Sequence, residues 1–557
     1  MGRAIRRSPL LVGDKGRWNP YFQFMKPIPL ESKSHRLSAV LAAALLLAAG
    51  APALLARPWT FTGIPQAVEA EFVGMKNGGV VLQGPNGKSF EVPLANFTPA
   101  DQQYLRALEA GGGKAPTAEN SGKPITTRTG YTIKSVATCL NQVVPMKSGV
   151  EFHVTGSGDP ILGSTFDFSA PDGWLFLDNV APSFVKSKCL TRMRVNGARA
   201  SLTANLRVVQ YGSGTVVIPH APDFAAMTVY AGKSLAGESM TLNCHVDYGD
   251  AKLGKLKNSI SSFILRRGYT ATLAQQENGT GISRNYVAQD HDLEINLLPK
   301  GLDDGVRFVR IFPWRWVAKK GIAGGIWQNL KVAWFYDWNI GTQSSLDLEY
   351  VPIRQNRWWP GLDQDWKARG STHLLGYNEP DRPDQAKMTV GDAIHSWPDL
   401  LATGLRLGSP AVSDGGIGWL NEFIDKADAA NLRVDFVAVH YYRAVANPDD
   451  AKGAADQLYQ FLKGIHDRVK RPIWLTEWNN GANWTTAPDP SEKQQKAAIA
   501  AMIKMLDATP FVERYALYNW VEQTRELQRK DGSLTPAGEV YRDKISPLSY
   551  VQDESSK

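Results

Sequence analysis

The sequence predicts a multidomain chain in which β-rich segments precede a C-terminal (β/α)8 barrel of the TIM type, over residues 313–547. Three observations carry this expectation. The C-terminal part alternates apolar strands with amphipathic helices, the pattern of parallel strands with crossover helices. Residues 57–108 hold short strands of alternating polarity joined at Asn77-Gly78 and Asn86-Gly87, both hairpin signals. Between them, residues 227–312 write one strand-and-turn pattern twice, as a pair of Greek keys would. With 557 residues and 43% hydrophobic content the chain can bury a large core, and its length asks for several domains.

Residues 1–56 read as a leader. "HRLSAVLAAALLLAAGAPALLA" joins a basic flank to an Ala/Leu run with small residues at Ala51, Ala53 and Ala56, as a secretory signal does. Met25 is a candidate start that would leave a leader of ordinary length. The alternative is an uncleaved membrane anchor, since the apolar run approaches the roughly 20 residues that span a bilayer. Both predict export, to a secreted, periplasmic or cell-surface location. The net charge of +8 is concentrated here: eight Lys or Arg stand against Asp14 and Glu31, which accounts for six of those charges. The remainder is nearly neutral, which argues against a nucleic-acid partner. Cys139, Cys189 and Cys244 allow one disulfide at most, and their spacing suits no metal site.

The strands of residues 57–109 predict a small β-barrel, and "TPADQQYLRALEA" adds one helix, with Pro99 at its first position. This order resembles the Sla-type homology domain, a module of the Src-homology barrel class. Residues 110–124, "AGGGKAPTAENSGKP", have the composition of a flexible linker. Residues 125–226 are β-rich, with segments such as "GVEFHVTG" and "GWLFLDNV", and fit either a β-sandwich or a short β-helix. No motif there carries chemistry.

The doubled pattern of residues 227–312 is "MTVYAGKSLAGESMTL" with "LKNSISSFIL", then "YTATLAQQENGTGISRNYV" with "GLDDGVRFVRIF". It resembles a βγ-crystallin domain, a family whose members often bind calcium. Here Lys257 stands where an oxygen ligand is expected in the first copy, and Arg307-Phe308 follow Asp303-Asp304 in the second. A fixed cation beside the site repels a hard metal ion, so the expectation is no metal.

Seven strands are readable in the barrel, among them "LKVAWFYDWN", "THLLGYNEP", "VDFVAVHYY", "PIWLTEWNN" and "VERYALYNWVE". "VRFVRIFPWRW" (306–316) is the candidate for the missing one, although the preceding domain also needs it. The helices between include "GIGWLNEFIDKADAAN", "AADQLYQFLKGIHDRV" and "SEKQQKAAIAAMIKMLD". The strands end in polar or aromatic groups: Trp338-Asn339, Asn378-Glu379, Ser409, His440 with Tyr442, Glu477-Trp478 and Asn519-Trp520. A barrel brings such ends to one mouth. Glu379 and Glu477 can then face each other as the two carboxyl groups that glycoside hydrolysis needs, about 5 to 5.5 Å apart in a retaining enzyme.

"LLGYNEPD", "LGSPAVS", "VDFVAVHYY" and "PIWLTEWN" occur in the order and spacing of glycoside hydrolase family 128, a branch of the clan A barrels, and residues 330–545 resemble it. The resemblance implies a retaining endo-β-1,3-glucanase without cofactor. It implies Glu379 as acid/base and Glu477 as nucleophile, with Asn378 bonding the sugar 2-hydroxyl and His440 and Tyr442 positioning the nucleophile. Those roles ask for a Glu379 that is protonated near neutrality and a Glu477 kept ionised by donors such as Tyr442.

Flat aromatic rings stack on the apolar faces of sugars, which makes Trp358, Trp359, Trp478, Trp484 and Trp520 candidate platforms. Consecutive Trp358 and Trp359 cannot both enter one core, so at least one is expected outside. The expected partner is a polysaccharide, with β-1,3-glucan foremost, no nucleic acid, a membrane only if the leader stays uncleaved, and a monomeric chain. A clan A glycanase acting on xylan, agarose or mixed-linkage glucan is the alternative, and a catalytically inactive carbohydrate-binding protein the second.

Overall fold

A computed structural model describes residues 57–61, 64–76, 79–84, 88–97, 102, 125–126, 131–521 and 524–550. The leader, the linker of residues 110–124 and most of the helix expected after Thr98 lie outside the described residues. Among those described, no helix is long and apolar enough to cross a membrane.

Two compact units divide at residue 120. The first is a four-stranded antiparallel meander, Arg57–Phe61, Ile64–Lys76, Gly79–Gln83 and Ser89–Pro93, each strand paired with the next. Val80, Leu82, Val92 and Phe97 form its buried face, which is the alternation the sequence shows.

The second unit starts with parallel coils. Thr132–Val136, Val150–Val154 and Trp174–Leu177 stack in one sheet, while Val143–Met146, Thr165–Phe168 and Met193–Val195 stack in another. Because the chain alternates between the sheets, it winds as a short β-helix; a sandwich would pair its strands antiparallel. Phe166, Phe168, Leu175, Leu177 and Met193 fill the space between them.

The doubled segment forms two sheets, with one exchange that its sequence does not announce. Asp247–Tyr248, the third strand of the first copy, pairs with Phe308–Pro313 of the second copy. Leu293–Ile295, the third strand of the second copy, pairs with Ser262–Leu265 of the first. Lys257, Asp303 and Asp304, which occupy the positions of the calcium pattern, have protein partners. Lys257 lies 3.4 Å from Asp250, Lys233 lies 3.7 Å from Asp303, and Ser261 donates to Asp304 at 3.1 Å. All three cysteines are buried and unpaired with one another.

Eight parallel strands make the barrel: β1 Lys320–Ala323, β2 Trp334–Tyr336, β3 Glu349–Tyr350, β4 His373–Leu374, β5 Arg406–Leu407, β6 Val437–Tyr441, β7 Ile473–Trp478 and β8 Val512–Tyr518. β3-β2-β1-β8-β7-β6 run as one sheet and β4-β5 as a pair, and parallel bridges Ile353–Leu375 and Gly408–Phe436 close the ring. Residues 306–316, the expected eighth strand, do not join the barrel. Residues 308–313 pair antiparallel in the Greek-key sheet, and β1 comes from "KGIA" instead. Helices α1 Val390–Leu401, α2 Ile417–Ala429, α3 Ala451–Val469, α4 Glu492–Ala508 and α5 Pro536–Asp543 pack outside. Side-chain caps start four of them, at Thr389, Asp450, Ser491 and Thr535, and Ser491 with Gln494 completes a capping box.

The barrel is plugged at the end where its strands begin. Arg514 pairs with Glu349 at 2.7 Å, Arg406 with Glu513 at 2.6 Å, and His373 with Glu349 at 2.7 Å, all buried. Trp474 stacks on Phe436 with centroids 4.0 Å apart, and Arg514 lies over its ring. Chemistry is left to the opposite mouth.

Candidate active site

A cleft of about 1050 Å³ opens at the ends of the strands, lined among others by Trp338, Asn378, Glu379, Arg382, Tyr442 and Glu477. Glu379 sits just past β4, where the chain leaves the barrel. Its N–H donates to Ala411 O at 2.7 Å and its φ is +41°, so the backbone turns in the left-handed region and carries the side chain inward. Pro380 follows directly. Asp381 braces the turn by accepting from the Ser413 N–H at 3.0 Å and its hydroxyl at 2.5 Å.

Glu477 lies within β7, at the position where the side chain points to the mouth. Tyr442 donates to its Oε2 at 2.7 Å, and Tyr336 and Trp338 donate to Oε1 at 2.9 and 2.8 Å. Burial raises the Tyr336 and Tyr442 hydroxyls well above their ordinary range, and the Glu477 charge adds to it. Both therefore stay protonated and remain donors.

His440, at the end of β6, stands between the two carboxyl groups. Its Nδ1 is 2.9 Å from Glu379 Oε1 and its Nε2 3.6 Å from Glu477 Oε1, while the ring is wholly buried. Burial pulls this imidazole down, but the Glu477 charge and the bond to Glu379 outweigh it and the net direction is upward. Arg382 approaches Glu379 Oε2 at 3.3 Å from the open side. Asn378 donates to Gln385 at 3.3 Å, while its own side-chain oxygen is buried without a partner in a residue that lines the cleft. That oxygen can accept from a bound hydroxyl group.

Glu379, Glu477, Asn378 and Tyr442 line one cleft, and His440 lies between the two glutamates. Three details differ. His440, expected on the nucleophile, makes its hydrogen bond to Glu379. Trp478 is wholly buried and packs against Tyr515, because successive residues of β7 point to opposite faces and Glu477 takes the inner one. Trp358 and Trp359, 76% and 45% exposed, lie on the loop after β3 and do not line the cleft. Trp520 is half exposed and reaches the cleft through its neighbours, with ring contacts to Trp338 and Tyr518. Trp484 does line it, packed edge-on to Tyr442. Tyr336 and Arg382 were not singled out from the sequence. Tyr336 reads as strand interior, and only barrel closure shows which way it points.

Residues 315–541 match the family described as glycosyl hydrolase catalytic core, and residues 51–111 match SLA1 homology domain 1. An endo-β-1,3-glucanase of glycoside hydrolase family 128, subgroup I, from Amycolatopsis mediterranei, solved with laminaritriose, is 33% identical. The match covers 40% of this chain and 98% of that one, with a TM-score of 0.36. A curdlan-specific exo-β-1,3-glucanase of subgroup III from Blastomyces gilchristii is 27% identical over 41% of this chain and 98% of its own, with a TM-score of 0.34. Alkali-sensitive linkage protein 1 of Schizosaccharomyces pombe is 27% identical over 229 residues, 38% of this chain. The match spans 40% of that curated relative's length.

Proposed function

We propose that this chain, which through residues 315–541 belongs to glycoside hydrolase family 128, is a retaining endo-β-1,3-glucanase. The observation that carries the reading is the seating of Glu379 and Glu477 on either side of one buried imidazole, at the floor of an open cleft. Retention asks for the two carboxyl groups to stand about 5 to 5.5 Å apart. Glu379 is the acid/base, in contact with His440 and Arg382. Glu477, fixed by three donors, is the nucleophile that attacks the anomeric carbon. Asn378 holds the sugar 2-hydroxyl with its unpartnered oxygen. The names of the Amycolatopsis and Blastomyces relatives support β-1,3-glucan as the substrate, and the open cleft supports cutting within a chain. Export follows from the leader read in residues 1–56, and the chain acts as a monomer.

Reducing-sugar release from a panel of polymers tests this. Soluble β-1,3-glucan is expected to yield oligosaccharides, and proton NMR to find the β-anomer first. Release from xylan or agarose in place of β-1,3-glucan would overturn the substrate, and an α-anomer the mechanism. Glu379→Ala is expected to keep activity on aryl glycosides with a good leaving group and to be rescued by azide, whereas Glu477→Ala forms no glycosyl-enzyme.

A further inference from the structure

The two oxygens of Glu477 are held unequally. Oε1 accepts from Tyr336 at 2.9 Å and from the Trp338 indole at 2.8 Å, and His440 Nε2 lies 3.6 Å away. Oε2 accepts from Tyr442 alone among the described side chains, at 2.7 Å. An oxygen whose lone pairs are engaged by buried donors is the poorer attacker, since attack would strand those donors. Trp338 is held for this contact. Its φ is +58°, a conformation that a bulky residue keeps only when its surroundings impose it. Its ring sits among Tyr336, Tyr518 and Trp520, with centroids 5.4, 5.7 and 6.1 Å away.

We propose that Trp338 is a positioning residue for the nucleophile: with Tyr336 it fixes Oε1 as the spectator oxygen, so that Oε2 bonds the sugar. This rests on the retaining reading. In the first step an Oε2 lone pair bonds the anomeric carbon as that carbon's bond to the leaving oxygen breaks, and Glu379 gives its proton to the leaving oxygen. Oε1 is then the carbonyl of a glycosyl ester, with the two donors drawing electron density towards it. In the second step water bonds the anomeric carbon and yields its proton to Glu379, while the bond to Oε2 breaks and its electron pair returns to the carboxylate. The Trp338 and Tyr336 donors stabilise that departing carboxylate.

The groups facing Glu477 are Tyr336 and Trp338 from β2 and its following loop, His440 and Tyr442 from β6, Glu379 from the loop after β4, and Tyr518 from β8. Replacing the indole by a phenyl ring changes none of their charges. Trp338→Phe is therefore expected to raise the acidic limb of kcat/KM by about one pH unit. The expected fall in kcat is roughly 10- to 100-fold, with KM kept within about threefold.

The test uses the full chain, soluble β-1,3-glucan, and 2-deoxy-2-fluorolaminaribiosyl fluoride as the trapping probe. Labelling of Glu477 in the unaltered chain, with a raised acidic limb and slowed release of the fluorosugar in Trp338→Phe, supports the proposal. Labelling together with an unmoved limb and unchanged kcat overturns it and leaves the retaining reading standing. Failure of the unaltered chain to label overturns both. Should Trp338→Phe lose its cooperative melt, Tyr336→Phe, which removes one hydroxyl from the same oxygen, carries the test with the same criteria.

Discussion

Tyr442 and Trp478 show how differently two aromatic residues at the ends of neighbouring strands can behave. Tyr442 →Phe removes a charge-assisted hydrogen bond to a buried carboxylate and leaves the ring in place. The expected outcome is a roughly 10- to 100-fold loss of kcat, with little change in melting temperature, measured by steady-state kinetics and thermal melts. Trp478→Ala is expected to do the reverse. It empties a core position packed against Tyr515 and costs about 3 to 5 kcal/mol of stability, read by urea unfolding, before any effect on sugar binding. The sequence shows both residues as polar or aromatic groups ending a strand. It does not reveal that Trp478 takes the outer face, because side chains alternate and a two-residue segment fits either phase until the ring closes.

At the scale of elements, the long periodic pieces were legible. α2, α3 and α4 fall where the sequence places them, since each carries an apolar stripe at helical spacing. The cap of α4 is a local signal too. Ser491→Ala breaks the capping box with Gln494 and is expected to cost about 1 kcal/mol, measured as a shift in the urea midpoint. β1 was not legible, for a physical reason. Its four residues begin with a lysine, and another lysine precedes them, which reads as solvated chain. Both ammonium groups are instead buried against carbonyls. Lys319 donates to Thr509 O at 2.8 Å past the end of α4, and Lys320 to Tyr541 O at 2.6 Å and Lys544 O at 2.7 Å around the end of α5. A helix leaves its last carbonyls unpaired, so two cations there complete two helices while permitting a short strand.

At the scale of the whole molecule, the ion network that plugs the barrel ties four strands, β3, β4, β5 and β8, to one another. Glu349→Gln leaves Arg514 and its neighbours with uncompensated buried charge and is expected to cost about 3 to 5 kcal/mol. His373 gives the network a pH signature. Burial, with the charge of Arg514 assisting and that of Glu349 opposing, lowers its imidazole to about 4 from an ordinary 6.5. Between those values the unfolded chain binds the extra proton and the folded one does not, so stability is full above 6.5 and falls as the pH drops towards 4. The His373 contribution is expected to be roughly 3 kcal/mol, and His373→Asn should flatten that part of a pH-dependent melt. By itself the sequence determined the barrel, the repeated Greek keys, the hairpins of the first unit and the two glutamates that end barrel strands, because periodicity, turn chemistry and a carboxylate ending an apolar strand are local. The tertiary structure alone decided the exchanged third strands, the identity of β1, the inner or outer face of each tryptophan, and the donors gathered on each oxygen of Glu477. Those depend on which distant segments pair across a closed ring, a choice made by packing and by the pairing of buried charge rather than by any neighbour in the chain.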